Sequence, residues 1–474
     1  MKRSGSAALA LLLCMFTSMP PVQAQTQAQE RQHLPISMMY SNSSSQGLPF
    51  DLVSKGRWQP DPNARFVKLH LYFDHPVALS RYEVTPCDKP FSQPISVFAN
   101  FDEWLWKLDP DAEQPEPLAQ EKVKQGMGGE VDQSTLIHSL TFNFEKNKGF
   151  ALCSIALFDA KGKQIELSVP RIVAGHATAS STLAPESAYS VMNLFDSRFE
   201  SAWSSNHETT KSALSFNFDD TQTITRLRLW NGYQRSPEHC IANSRLRNLH
   251  IEGDNGYAAD VKVDDVMGGQ EIALPRPYSG KTLRLTAQDA YRGRAYPDLV
   301  ISELRFGSER DWFMLDPLPH IREGVAANRK AFADAGLAAM LDDGLTDSDA
   351  KTRELRGTNL RIRGDGSFYL SSMVYPDGDD GEPTQYFAIG SYEIKAHDPA
   401  KGMQVRLFGL FHDSAAYGDC NGCGRDCNRP DANKEKIFQA LVWLRPGKSA
   451  GQFVFEPTAN KRLPRQTLIL KLEK

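Results

Sequence analysis

"YRGRAYPDLVISELRF", residues 291–306, sets the first problem of this chain. Two tyrosines and two arginines spaced by a glycine lead into a short apolar strand, and Glu303 stands in the middle of that strand, five residues after Asp298. A strand in a globular protein buries at least one face. A carboxylate there is either solvated or held by a cation or a set of amides.

The neighbouring sequence is also strand-like. Apolar and polar residues alternate in "FVKLHLYF" (66–73), "ALSFNF" (213–218), "ITRLRLW" (224–230) and "LRNLHIEG" (246–253). Turn residues separate these runs, and between 36 and 308 no segment of helical length and periodicity stands out, which predicts β-sandwiches. A repeat underlies the pattern. Asp51 and Trp58 match Asp196 and Trp203 at a shift of 145 residues, as do Phe73-Asp74 with Phe218-Asp219 and Leu79-Ser80-Arg81 with Ile224-Thr225-Arg226. Later, "CSIALF" (153–158) meets "ISELRF" (301–306) at a shift of 148. The fold class expected is predominantly all-β: two tandem sandwiches over 36–172 and 173–309, the first a degenerate copy of the second.

The rest of the chain frames this pair. With 474 residues it should form about three domains of ~100–200 residues. A formal charge of −4 with no basic block argues against nucleic acid or an anionic membrane as main partner. Lys2 and Arg3, the apolar run 7–16 and small residues at Val22 and Ala24 predict a signal peptide over 1–24, hence a periplasmic or secreted protein. Leu11-Leu12-Leu13 before Cys14 do not suit a lipoprotein cleavage site. No later run approaches the ~18 apolar residues of a transmembrane segment. Residues 25–35 are Gln-rich and expected to be a disordered lead. An Ala-rich helical pattern over 325–344 and a charged stretch place a helical connector at 310–357. Six strand-like runs follow in 358–474, suiting a small antiparallel barrel or sandwich.

Residues 175–307 closely resemble the NADase-type glycan-binding, or NAD glycohydrolase translocation, domain, a discoidin-like module. The matching pieces are "ASSTL" (179–183), "YSVMNLFDSRFESAW" (189–203), "LRLWNGYQRS" (227–236), "NSRLRNLHIEGDNG" (243–256) and "YRGRAYPDLVISELRF" (291–306). The resemblance implies a galactose-binding-like jelly-roll sandwich. In relatives such a module is attached to secreted proteins, including a streptococcal NAD-cleaving toxin, and the module itself is not the catalyst. Relatives carry a Gly-rich stretch soon after the tryptophan, whereas 204–214 here contain no glycine. That departure removes the basis for a ligand contact through this loop's backbone.

In the wider discoidin and fucose-lectin superfamily, a loop before the tryptophan and a C-terminal acid hold calcium. The resemblance places Asp196 and Glu303 there, with backbone carbonyls of Asn193 and Arg198, and calcium is the one cofactor raised. The other reading is that Glu303 caps loop amides while Asp196 makes a turn. Ile155 stands in the first repeat where the acid should be, so that repeat is expected to lack the site. For sugar binding, an aromatic face and hydrogen-bonding cations at the loop end are needed. Trp203, Tyr233, Arg245 and Tyr296 are the candidates, against core and turn roles for Trp203 and Tyr233. Trp104 and Trp106 offer a second platform, or core packing.

The six cysteines after residue 24 are even in number, which suits disulfides in an oxidising compartment. Cys87 and Cys153 are expected to pair between neighbouring strand ends. Cys420, Cys423 and Cys427, with His412 nearby, read as a disulfide loop or a metal site. "PDGDDGEP" (376–383) reads as a solvated hairpin or a weak calcium loop, and Arg363-Gly364-Asp365 as a chance integrin-like tripeptide.

Three functions follow. The first is an exported, non-catalytic protein that recognises carbohydrate or a cell-surface partner. The second is a secreted hydrolase of NAD or a glycan, with catalysis in the C-terminal domain; it calls for a cluster of arginines and a glutamate, for which Arg361, Arg363 and Glu393 are available. The third is a structural role in envelope assembly. The sequence does not set the oligomeric state.

Overall fold

The computed structural model describes residues 33–62, 64, 67–100, 121–123, 126–131, 136–144, 147–199, 201–207, 209–341, 344–347, 356–374, 384–413, 436–458 and 467–472. The first sandwich comprises β1 (His33–Ser41), α1 (Asp51–Ser54), β2 (Lys68–Pro86), β3 (Ser96–Asn100), β4 (Glu121–Val123), β5 (Gly126–Glu130), β6 (Leu136–Asn143), β7 (Leu152–Asp159) and β8 (Glu166–Ser168). The second comprises β9 (Arg171–Val173), β10 (Gly175–Ala179), α2 (Glu186–Tyr189), β11 (Trp203–Ser204), β12 (Ala213–Asn231), α3 (Pro237–Ala242), β13 (Arg245–Gly253), β14 (Tyr257–Lys262), β15 (Gly269–Tyr291), β16 (Val300–Gly307) and β17 (Trp312–Leu315). Helix α4 (Leu318–Asp334) leads to β18 (Gly344–Asp347), β19 (Arg356–Ile362), β20 (Ser367–Val374), β21 (Thr384–Asp398), β22 (Gly402–Asp413), β23 (Lys436–Pro446), β24 (Gln452–Pro457) and β25 (Leu468–Leu472).

The two sandwiches share one plan in their main strands. Strands β2 and β12 both span 19 residues, beginning at Lys68 and Ala213. Each alternates inward apolar side chains, such as Leu69, Leu71 and Phe73 or Leu214, Phe216 and Phe218. Each breaks register midway, between Tyr72 and Val77 or between Asn217 and Gln222, and crosses there from one set of partners to another. Strands β7 and β16 match in the same way, with 8 residues each. In both copies the first strand lies parallel to the last, His33 opposite Glu166 and Arg171 opposite Phe313. Trp58 bridges Leu152 and Trp203 bridges Ile301, and both indoles are 1% exposed. The apolar interiors of the two copies form one contiguous cluster.

Cys87 and Cys153 form a disulfide across 66 residues of sequence, as expected. Closing a loop of that length restricts the unfolded chain by about 4 kcal/mol. Cys240 is free and buried.

Three expected boundaries change. Strand β1 begins at His33, so the last residues of the expected disordered lead are strand. Among the described residues of the expected connector 310–357, α4 and a 3₁₀ turn at Ala338–Met340 are helical; β17 completes the second sandwich and β18 begins the barrel. Among the described residues the C-terminal domain is a closed antiparallel barrel of eight strands, β18 to β25, rather than six. "LRIRGDGSFYL" holds two of them, because Gly366 takes φ +89° and turns the chain back so that Arg363 N–H meets Ser367 O at 3.0 Å. The barrel is filled with apolar side chains, among them Leu360, Ile362, Val405, Val442 and Phe455, and Phe332, Leu337 and Met340 join the same core from α4 and the turn after it. Among the described residues no helix is long and apolar enough to cross a membrane.

The three bodies meet through polar contacts that are mostly half-buried. Asp365 is the meeting point: Tyr40 Oη donates to its carboxylate at 3.0 Å, and Arg198 Nη1 donates to its carbonyl at 2.9 Å. The tripeptide 363–365 therefore has its acid turned into a junction, which rules out integrin-type presentation. Arg228 reaches Asp74 at 3.0 Å, Arg322 reaches Ser45 O at 2.7 Å, and Arg235 Nη2 reaches Ser391 Oγ at 2.9 Å.

Candidate functional site at the loop end of the second sandwich

Because β12 folds over at Asn217–Gln222, its two ends, Ala213 and Asn231, lie together. They sit opposite the domain's entry and exit, where Gly175 pairs with Phe218 and Gly307 with Arg226. The connections 180–202, 205–212, 232–244, 263–268 and 292–299 therefore gather at one end, as expected where a rigid scaffold presents binding loops.

The loop 292–298 is laid down firmly on the C-terminal end of α3. The amides of Arg294, Ala295 and Tyr296 donate to Ile241 O at 2.9 Å and Ala242 O at 3.0 and 2.8 Å. Gly293 N–H donates to Ser244 Oγ at 3.1 Å, and Ser244 N–H to Asp298 O at 3.0 Å. A Cβ on Gly293 would stand 2.5 Å from Ala242 O, Asn243 C and Tyr296 O, so only glycine lets the loop approach this closely. Asp298 fastens the neighbouring loop: its carboxylate accepts the His207 amide at 2.8 Å and lies 3.2 Å from His207 Nδ1.

This fixed backbone carries side chains that the fold does not consume. Tyr296 is 45% exposed and Ile241 39%. Arg292, Arg294 and His207 are also exposed. Arg292 and Arg294 have no ion-pair partner among the described residues.

The other three candidates are scaffold. Trp203 is in the core, its Nε1 donating to Ser181 O at 3.3 Å. Tyr233 is 7% exposed, packed against His239 and under the Arg235 guanidinium. Arg245 forms a fork to Asp265 at 2.6 and 2.8 Å and also donates to Asn243 O at 2.8 Å, so its donors are spent internally. Of the aromatic platform expected from Trp203, Tyr233 and Tyr296, only Tyr296 is available to a ligand. Arg292 and Arg294 were the missed cations; the signal was their position in a Gly-containing loop beside an exposed aromatic.

The buried acid of the opening question is answered by a cation and an amide together. Glu303 is 0% exposed; its Oε2 accepts Arg305 Nη1 at 2.8 Å and its Oε1 accepts the Arg198 amide at 2.8 Å. Arg305, 1% exposed, also donates to Leu194 O at 3.2 Å and Ser197 Oγ at 2.8 Å. Asp196 accepts the same Arg198 amide at 2.9 Å and the Ser201 hydroxyl at 2.6 Å. Burial raises the Glu303 carboxyl well above its usual range, with Arg305 opposing and Asp196 reinforcing the rise. Burial likewise lifts Asp196 to about 6, opposed first by Arg198. The pair thus retains a proton to higher pH than either side chain would in water.

The calcium expectation finds its two carboxylates side by side. Yet the loop turns an N–H toward them, not a carbonyl, and the positive charge beside Glu303 is a guanidinium. That donor set does not fit calcium. Among the described residues no group of three or more His, Cys, Asp and Glu is placed to hold a metal. In the first sandwich Ile155 and Leu157 pair with Val84 and Tyr82 and enter the main core, as Leu304 and Phe306 do opposite Leu229 and Leu227; the positions of Glu303 and Arg305 therefore fall on Ser154 and Ala156, neither of them an acid, and not on Ile155 as the sequence shift placed them.

Trp104, Trp106, Cys420, Cys423, Cys427 and residues 376–383 lie outside the described residues. Arg361, Arg363 and Glu393 do not form one cluster. Arg361 stacks over Tyr369, Arg363 donates its amide to Ser367, and Glu393 pairs with Lys395 and Arg406.

No curated protein matches the chain. Among solved structures, the family 32 carbohydrate-binding module of Clostridium perfringens NanJ, in complex with galactose, is 15% identical over 28% of this chain and 92% of that one, with a TM-score of 0.23. The first two family 32 modules of Clostridium perfringens ZmpB, in complex with GalNAc, are 11% identical over 57% of this chain and 89% of that one, with a TM-score of 0.23. The family 32 module of Streptococcus pneumoniae EndoD is 14% identical over 29% of this chain and 99% of that one, with a TM-score of 0.24. Residues 171–307 match the family model described as the NAD glycohydrolase translocation F5/8 type C domain.

Proposed function

We propose that this is an exported, non-catalytic binding protein that recognises carbohydrate on a cell surface through the loop end of its second sandwich. The observation that carries the reading is Tyr296: a large aromatic ring held out to solvent on a backbone pinned by five hydrogen bonds and a close-packed glycine. Order fixed before the ligand arrives spares the cost of ordering on binding. The match of residues 171–307 to a translocation module, not a catalytic one, supports the same reading. Among the described residues of the first sandwich, Asp61, near the position of His207, is engaged by Arg329 of α4 at 3.3 Å.

A glycan array probed with the full chain and with Tyr296→Ala tests this. Truncating a central aromatic anchor costs on the order of 2 kcal/mol, roughly thirtyfold in affinity. Binding unchanged by the substitution, or no binding to any glycan, would refute the assignment. The alternative, a hydrolytic barrel, would show as NAD or glycoside cleavage by the same sample.

A further inference from the structure

We infer that the ligand at this site is an acidic glycan, one bearing a carboxylate or sulfate group, and that Arg292 and Arg294 provide its charge selectivity. The inference rests on the site assignment above and concerns what that site selects.

The argument is a local accounting of charge. The chain as a whole carries −4, so no general positive surface draws anions to it. At this loop end, however, several acids are held by neighbouring cations or amides. Asp265 is held by Arg245, Asp289 by Arg247 at 3.3 Å, Asp298 by the amide and ring of His207, and Glu303 by Arg305. Among the described residues here, Asp264 on the adjoining turn and Glu186 of α2 are exposed acids without an ion-pair partner, and half-buried Glu238 of α3 has none either. Two guanidiniums remain outside this pairing, Arg292 and Arg294, both exposed and both within four residues of Tyr296 on the same pinned loop.

Elsewhere on this module several arginines are tied down, Arg226 to Glu271 at 3.0 Å, Arg228 to Asp74 and Arg171 to Asp311 at 3.0 Å, while exposed Arg276 lies over the Tyr257 ring. A guanidinium presents a planar fork that matches a carboxylate or sulfate with two parallel hydrogen bonds. An aromatic ring accepts the C–H face of the sugar carrying that group. The two functions side by side match a charged sugar better than a neutral one, because a neutral sugar leaves two cations to be partly desolvated without compensation.

The test uses the full chain in calorimetry and on an array with four arms: neutral galacto-oligosaccharides, sialylated, uronate-containing and sulfated glycans. Variants are Arg292→Ala/Arg294→Ala, Arg292→Lys/Arg294→Lys and Tyr296→Ala; all alter exposed side chains, and thermal melting verifies that each folds. The expected result is at least about tenfold tighter binding in one acidic arm than in the neutral arm. That preference should be lost in the alanine pair, partly kept in the lysine pair, and weakened as salt rises. The arm that binds identifies carboxylate or sulfate. Equal binding of neutral glycans by wild type and the alanine pair, with loss in Tyr296→Ala, overturns the charge inference and leaves the site assignment standing. Absence of binding in all arms, or binding indifferent to Tyr296, overturns both.

Discussion

The buried pair Glu303–Arg305 can be tested by removing one charge or both. Glu303 and Arg305 lie opposite Trp230 and Arg228 on the face of β16 turned away from the main apolar core, and both are buried. Arg305→Leu alone leaves Glu303 in the core with only the Arg198 amide, Asp196 and no cation at 2.8 Å. Removing one member of such a pair costs about 3–5 kcal/mol. Glu303→Ile/Arg305→Leu removes both charges, a change worth about 1–4 kcal/mol in favour of the apolar version. Against that gain, Ser197 Oγ and Leu194 O lose a donor, each at about 1–3 kcal/mol, while Asp196 still accepts the Arg198 amide. The double variant should therefore lie within about 2 kcal/mol of wild type, and the single well below it. With three domains, one global unfolding energy is not defined, so the reading is native-state hydrogen exchange of the β12 and β16 amides. The carboxyl of Glu303 is held above its ordinary range, which favours the protonated folded form at low pH and withdraws stability as pH rises; the single variant's deficit should therefore be smaller at pH 5 than at pH 8. A double variant as unstable as Arg305→Leu would refute the reasoning.

Three further outcomes follow from named contacts. Asp365→Ala removes the carboxylate that accepts Tyr40 Oη and lies 3.6 Å from Arg198 Nη2, leaving only the carbonyl that Arg198 Nη1 reaches, so limited proteolysis should cut between the second sandwich and the barrel several-fold faster, with each body still folded; an unchanged cutting rate contradicts the junction role. Burial, with Arg235 nearby, holds the His239 imidazole well below its ordinary 6.5, so its contribution is present above that value and is lost as pH falls. Exchange protection of α3 should drop below about pH 6.5, and His239→Gln should flatten that slope; equal slopes would exclude the histidine. Gly293→Ala places a methyl 2.5 Å from three backbone atoms and should loosen 292–298 while the melting temperature of the sandwich changes little; crystallographic order of that loop in the variant would contradict the packing argument.

The sandwiches were legible because their repeat is carried by buried tryptophans and alternating strands, features that packing imposes on sequence directly. The barrel's strand count was less so: β18 is four residues within a charged stretch, and the Gly366 turn is concealed inside one apolar run. At the site, Tyr296 was legible as an aromatic residue in a polar loop. Trp203, Tyr233 and Arg245 have the same chemical types, but type does not report burial, and each is consumed by the scaffold. Arg305 could have been read from its place two residues after Glu303, on the same strand face. Asp365 could not, since its partners lie in two other domains.

The central claim is that ligand meets this protein at the loop end of the second sandwich. Hydrogen–deuterium exchange of the full chain, with and without a glycan that binds it, locates the contact directly. The account predicts protection concentrated in residues 292–298 and 205–207. Protection confined to the barrel, or to the first sandwich, would contradict it.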